Sequence, residues 1–319
     1  MLKIGVVGLN QGNGHPYSFS AVFNGFDPDA LRQECEFALI KEYLPAHHGN
    51  REFIADARVT HVWAPEPGAA ERVARIARVP HVARSPEELA SSVDAILFTR
   101  DDIDRHWAMA GKLFKTGKPI FMDKVLAHTE EDLRKFIAAS GENYPLMTAS
   151  SFAFSPEIEN ARTALHGSEV LFVNGVSSCV WVRYAPHLLG ALFRLFGSDV
   201  ASVQNSGNAS GDVVTLHYRS GLTAVLEVFD GVGLPLGLTV HRRGEAPLTV
   251  PYTDPGLKNY FLSIAEMMKK FRDMCVTGKS PTPWSETLLI NRVVLAGIAS
   301  AKQGGKRIAM DSFLTDLGE

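Results

Sequence analysis

Cysteine is scarce in this chain. Only Cys35, Cys179 and Cys275 occur in 319 residues, far apart, odd in number and without a CxxC pair. That argues against a disulfide framework and against a cysteine zinc site. No apolar run approaches the roughly 18 residues a spanning helix needs. The opening Met1-Leu2-Lys3-Ile4-Gly5-Val6-Val7-Gly8 is too short, and too soon broken by glycine, for a secretory signal. Neither sign of charge dominates: 32 basic side chains face 35 acidic ones, for a net charge of −3. No overall attraction to nucleic acid or an anionic membrane follows. A metal is not expected either, since the eleven histidines form no HxH or HxxxH pair beside carboxylates. The expectation is a reduced, cytoplasmic protein that handles a small molecule, with neither nucleic acid nor membrane as partner.

What is present is ordinary and sufficient. Hydrophobic residues make up 45% and charged residues 21%, enough apolar surface to offset chain entropy. The length favours two domains. Up to about residue 149, short apolar strands alternate with helices. Strands are expected at 2–8, 59–63, 94–99, 119–122 and 144–149, with helices near 16–24, 69–77, 103–116 and after Thr129. Ser85-Pro86-Glu87-Glu88 is a further helix start, with serine as cap and glutamate three residues on. The pattern indicates βαβ units on a parallel sheet. Residues 26–57 resist placement; Glu36 to Ile40 reads as strand or helix, and His47-His48 as a solvated loop.

From residue 150 the pattern changes. Helices are expected at 156–166 and 186–196, around a strand near 169–183. Val213 to Tyr218 and Thr223 to Val228 flank Gly221 as an antiparallel hairpin. Two helices, 257–277 and 285–302, close the chain before Gly304-Gly305. The expected architecture is α/β: a doubly wound parallel sheet in residues 1–149, then an α+β domain with a mostly antiparallel sheet in 150–319.

Five segments could carry chemistry. Gly8-Leu9-Asn10-Gln11-Gly12-Asn13-Gly14-His15 runs from a strand into a helix start, where backbone N–H groups can face a phosphate. The glycine spacing is irregular, with Asn10 and Asn13 where GxGxxG has its later glycines; asparagine tolerates positive φ. A ribose acid at the end of the second strand is missing at Ala64. Glu66 stands two residues later, about 50 residues past the loop rather than the usual roughly 20, and reads as ribose ligand or as turn residue. Thr99 and Arg100 end a strand at the cleft edge and could line a cofactor; Asp104 and His106 read better as helix residues. Asp123-Lys124 ends another strand, where a lysine can stabilise a developing alkoxide. His187 follows Arg183, Tyr184 and Pro186 at the expected start of a helix, as base or as cap.

Taken together, these segments resemble the glucose–fructose oxidoreductase and inositol dehydrogenase family (Gfo/Idh/MocA) over nearly the whole chain. Gly117 to Ala127 is similar to the family's GKxVxxEKPLA stretch, with Lys124 on its lysine, Asp123 for glutamate and Val125 for proline. His187 to Gly197 is similar to HxxDxxxxLxG, with Gly190 in place of the aspartate. The resemblance implies a Rossmann domain, a large open sheet that mediates homodimers or homotetramers, and hydride transfer between NAD or NADP and a sugar, polyol or sugar acid. It implies Lys124 and His187 as catalytic residues. It places Gly8, Asn10, Gln11, Gly12, Asn13, Gly14, His15, Glu66, Thr99, Arg100 and Lys124 around the cofactor. Lys124, Arg183, Tyr184 and His187 would meet the substrate. Arg183 stands where the family has an aspartate, four before the histidine. A cation there lowers the histidine pKa, or clamps an anionic substrate. The departures leave open a catalytically altered dinucleotide- or ligand-binding module of the same fold. A lyase or hydrolase using bound NAD is a third reading.

Overall fold

A computed structural model describes residues 1–49, 53–231 and 236–315. The first half builds strands β1 (Leu2–Val7), β2 (Ala57–Trp63), β3 (His81–Val82), β4 (Ala95–Phe98), β5 (Ile120–Met122) and β6 (Leu146–Met147). They form one parallel sheet in the order β3-β2-β1-β4-β5-β6. That order reverses direction between β1 and β4, which opens a crevice at the strands' C-terminal ends. Around the sheet lie α1 (His15–Asn24), α2 (Pro28–Glu34), α3 (Ala38–Tyr43), α4 (Ala69–Ile76), α5 (Pro86–Ser92), α6 (His106–Phe114) and α7 (Glu130–Ser140). The caps follow the sequence: Ser85 Oγ accepts from Glu88 N at 3.0 Å and Thr129 Oγ1 from Asp132 N at 3.2 Å.

The region that resisted placement is helical. Glu36 lies just ahead of α3, and a π-turn at Leu44–His48 follows it. His47-His48 is not a solvated loop. His48 is fully buried beside Phe26, Phe53 and Phe261, with its Nε2 on the Ala21 carbonyl at 2.6 Å. This inserted segment accounts for the long gap between the glycine loop and β2.

The second half adds α8 (Pro156–Ala164), β7 (Val170–Ser178), α9 (Trp181–Phe196), β8 (Val200–Asn205), β9 (Gly211–Tyr218), β10 (Thr223–Phe229), β11 (Gly237–Arg242), β12 (Leu248–Pro251), α10 (Lys258–Thr277), α11 (Trp284–Lys302) and β13 (Ile308–Ala309). The sheet order is β12-β11-β7-β10-β9-β8-β13. Only β7 with β10 is parallel. Burial alternates along β7, β9 and β10, as one covered face requires. Helix α10 turns back to the first sheet, where Phe261, Met268 and Phe271 join the core that holds Phe23 and Phe121. No helix among the described residues is long and apolar enough to cross a membrane.

One expected boundary is wrong. Helix α9 starts at Trp181, not near 186, and β7 stops at Ser178. Cys179, at φ 74°, turns the chain between them. Trp181 Nε1 donates to Val294 O at 3.0 Å, fastening the helix start to α11. Pro186 therefore sits inside the helix, where it removes one N–H donor. His187 follows it in the second turn and caps nothing.

Helix α9 rests on β7 through a glycine. A Cβ on Gly175 would stand 2.7 Å from Leu226 Cδ2 and 2.9 Å from Leu238 Cδ2, with Leu188 Cδ1 at 3.5 Å. Leu188 is the neighbour of His187, so this approach sets the height of His187 above the sheet. Gly175→Val is expected to overpack the contact and cost about 1–3 kcal/mol. The urea midpoint of the variant checks this; an unchanged midpoint would contradict the packing account.

Candidate active site

The organising group is Asp123, at the C-terminal end of β5. Its side chain is 1% exposed. One oxygen, Oδ2, lies 2.5 Å from His15 Nδ1 and 3.3 Å from Asn13 Nδ2. The other, Oδ1, accepts from Lys124 N at 2.9 Å and Lys124 Nζ at 3.0 Å. Burial alone would raise the carboxyl's pKa. The electrostatic contacts and hydrogen bonds of His15 and Lys124 outweigh it and hold Asp123 far below the usual carboxylate range.

Above this carboxylate opens a cleft of about 210 Å³ between the two halves. Lys124, His15 and His187 all line it, together with Tyr43, Tyr184, Tyr252 and Tyr260. His187 is 8% exposed, and its Nδ1 lies 2.7 Å from Ser150 Oγ. Burial, with the Lys124 charge next, pushes its pKa well below the ordinary value, so the ring is neutral. Burial also raises the phenols of Tyr184, Tyr252 and Tyr260, which keeps each one protonated.

The glycine loop is a tight turn, with Asn13 N on Asn10 O at 3.1 Å and Gly12 at φ 79°. A Cβ on Gly8 would meet Thr99 Oγ1 at 2.4 Å, so only glycine fits where β1 leaves the sheet. Gly14 is pressed in the same way against Ile40 and Phe37 beside α3. The backbone N–H groups of Gln11 and Gly12 donate to no other described residue. At Gly12 the nearest atom to an added Cβ is Arg183 Nη2 at 4.0 Å. An open turn with free amides ahead of α1 fits a dinucleotide's pyrophosphate. The fit is one of backbone, because the neighbouring side chains are engaged elsewhere. Asn10 Nδ2 donates to Asp101 Oδ1 at 2.8 Å and Asn13 Nδ2 to Thr99 O at 2.8 Å.

Four expected ligands are placed differently from the sequence reading. Thr99 is fully buried under the loop, its Oγ1 on Val7 O at 3.0 Å, and lines no cleft. Arg100, 1% exposed, spends its guanidinium on Leu9 O, on both oxygens of Glu66 and on Asp102. Glu66 is thereby taken, at 2.9 and 3.0 Å, and is not a free ribose acid. Arg183 pairs through Nη2 with Asp101 at 2.5 Å, while its guanidinium lines the same cleft. After burial, the cation that lowers the pKa of His187 is Lys124, not Arg183. His106 is a buried helix residue, as expected, bonded to the carbonyls of Arg100 and Leu126.

Sequence reasoning missed Ser150, Asp101, Tyr252 and Tyr260. A serine at the end of β6 carries no signal until α9 brings His187 to it. Asp123 was visible only as the first member of an acid–lysine pair. Among the described residues no group of three or more His, Cys, Asp or Glu could hold a metal ion.

Comparison with known proteins agrees with this architecture. No family model matches the chain. Over 104 residues it is 31% identical to the Salmonella typhimurium protein named "Putative oxidoreductase YceM". That match spans 32% of this chain and 33% of the relative. Solved structures align over nearly the full length. An oxidoreductase from Agrobacterium radiobacter, in complex with NAD+, L-tartaric acid and magnesium, has a TM-score of 0.73 at 13% identity, covering 98% of this chain and 99% of its own. A myo-inositol dehydrogenase from Lactobacillus casei, in complex with NAD(H) and myo-inositol, has a TM-score of 0.71 at 15% identity over 97% of each chain. Another, from Corynebacterium glutamicum, reaches 0.73 at 14% identity over 97% and 99%. The chain therefore has the fold of these dehydrogenases.

The lowered pKa of His187 has a thermodynamic consequence. Unfolded, an imidazole titrates near about 6.5; folded, His187 stays neutral well below that. Below that pH the unfolded chain binds the extra proton. The stability contributed is complete above about 6.5 and is lost as pH falls. His106, also buried with a lowered pKa, acts in the same direction. Unfolding free energy is expected to fall between roughly pH 6.5 and 5, and His187→Gln to flatten that slope. Equal slopes in denaturant titrations of the two proteins would contradict it.

Proposed function

We propose that this chain is an NAD(P)-dependent oxidoreductase that moves a hydride between the nicotinamide and a hydroxyl-bearing carbon of a polyol- or sugar-like molecule. The observation that carries the reading is the convergence of Lys124, just after β5, and His187, on α9, on one cleft at the C-terminal edge of the parallel sheet. Bound at the glycine loop, the dinucleotide supplies the hydride acceptor or donor. Gln11 and Gly12 offer its pyrophosphate their amides.

The chain's own groups do the rest. Lys124 Nζ has one bond, to Asp123, and its remaining N–H groups can hold the substrate oxygen and stabilise alkoxide as it forms. Neutral His187 takes the hydroxyl proton at Nε2, while Ser150 fixes the ring through Nδ1. The tyrosine-lined wall offers hydroxyl donors and ring faces to a polyhydroxylated ligand. With Asp101 paired to Arg183 beside Lys124, the cleft suits an uncharged polyol as well as a sugar acid. The relatives crystallised with myo-inositol and with L-tartaric acid support polyhydroxylated substrates as a class. We assign NAD or NADP without preference, since Glu66 is not free to select between them. Assembly as a homodimer or homotetramer is placed on the half-exposed face of the second sheet, where Asn174, Thr215 and Val225 lie.

The alternative of a non-catalytic binding module draws on the engaged ribose acid and the diverted Arg183. Titration with NADH, followed by its fluorescence, and a screen of inositols and sugars separate the two. Lys124→Ala and His187→Ala are each expected to lower turnover by about 100-fold or more, with folding intact by circular dichroism. Full activity in both variants would overturn the assignment.

A further inference from the structure

The oxidoreductase reading uses Lys124 and His187 but leaves His15 without work. His15 heads α1, beside the glycine loop, and its side chain sits against Asp123 and Phe19. Its ring stacks on Phe19 at 4.8 Å, nearly parallel. Nδ1 faces Asp123 at 2.5 Å. Nε2 has no partner among the described residues, and the side chain is 24% exposed where it lines the cleft with Lys124 and His187. A buried carboxylate behind one ring nitrogen fixes the tautomer, leaves the other nitrogen as a lone pair, and stabilises the imidazolium that forms. His187 has a separate orienting partner, Ser150. The cleft thus holds two histidines, independently positioned, one on Asp123 and the other on Ser150.

We propose that His15, held by Asp123, is a second proton-transfer group, and that the site exchanges the C–H proton next to a substrate carbonyl. The proposal rests on the polyol-type substrate assigned above. In this step the C–H bond beside the carbonyl breaks and its proton passes to His15 Nε2. The electron pair becomes the C=C bond of an enolate, whose oxygen accepts from Lys124 Nζ. The partly exposed imidazolium trades its proton with water and returns one to the carbon. No oxidant or reductant is consumed, so the exchange runs without a dinucleotide. In combination with hydride transfer, such a step would let the enzyme invert a carbon adjacent to the one it oxidises.

The test incubates the full chain with 2-keto-myo-inositol, a cyclic polyhydroxy ketone, in D₂O without dinucleotide, and follows the flanking C–H signals by proton NMR. Deuterium is expected to enter about 100-fold faster than in buffer, and His15→Gln to fall to within a few-fold of buffer. In parallel, NADH oxidation by the same ketone reads the redox assignment. Ketone reduction without exchange overturns this proposal and leaves the redox reading standing. Exchange without reduction supports the role of His15 and overturns the redox reading. Absence of both overturns both. Exchange by folded His15→Gln at the wild-type rate assigns the proton transfer elsewhere and overturns the proposal. If that variant does not fold, His15→Asn takes its place, and exchange at the wild-type rate in it overturns the proposal in the same way.

Discussion

The buried carboxylate of Asp123 is the contact on which the site depends. It ends β5, and its two oxygens take Asn13 from the glycine loop, His15 from α1, and both the backbone and side chain of Lys124. A lone carboxylate in so dry a place would be expensive. Two cationic or polarised partners and a backbone donor make it stable as an anion. Removing one member of such a pair leaves the other charge stranded, at about 3–5 kcal/mol. One residue therefore locks the first crossover of the parallel sheet to the strand that carries the lysine. The loop cannot shift without Lys124 responding.

The opposite wall is built by packing instead of charge. Gly175 lets α9 settle on β7, Trp181 ties the helix start to α11, and Ser150 reaches His187 from the end of β6. This setting is apolar enough to keep the imidazole neutral. The two walls thus hold different proton states a short distance apart. One presents an ammonium anchored to a carboxylate; the other presents a base with nothing charged bonded to it. Such a separation of environments is how a single cleft keeps acid and base roles distinct.

Much of this was legible in the chain. The capping serines and threonine, the alternation of strands with helices, and the Asp123-Lys124 and His187 segments all pointed to the observed architecture. Local signals carried those features. What escaped were facts that only a third element creates. Pro186 looked like a first-turn proline because nothing local says that Trp181 finds a carbonyl on α11. Glu66 read as ribose ligand or as turn residue because Arg100, 34 residues away, gave no sign that it would fold back over Leu9. Arg183 read as a free cation for the same reason: its partner Asp101 lies 82 residues earlier. His47-His48 read as solvent-facing because polarity alone cannot reveal that Phe26, Phe53 and Phe261 close around one of them.

The Arg183–Asp101 pair also acts as a crossbar. It joins α9 of the second half to the end of β4 in the first, and passes within 4.0 Å of an atom added at Gly12. On one side lies the chamber with Lys124 and His187; on the other, a shallow groove bordered by Asn10, Gln11, Asp102, Asp104 and His128. Phe37, Leu39 and Ile40, at and in α3, line the chamber's edge on the first half's side. The pair therefore divides the surface between the two halves into two compartments, and what one holds need not touch the other.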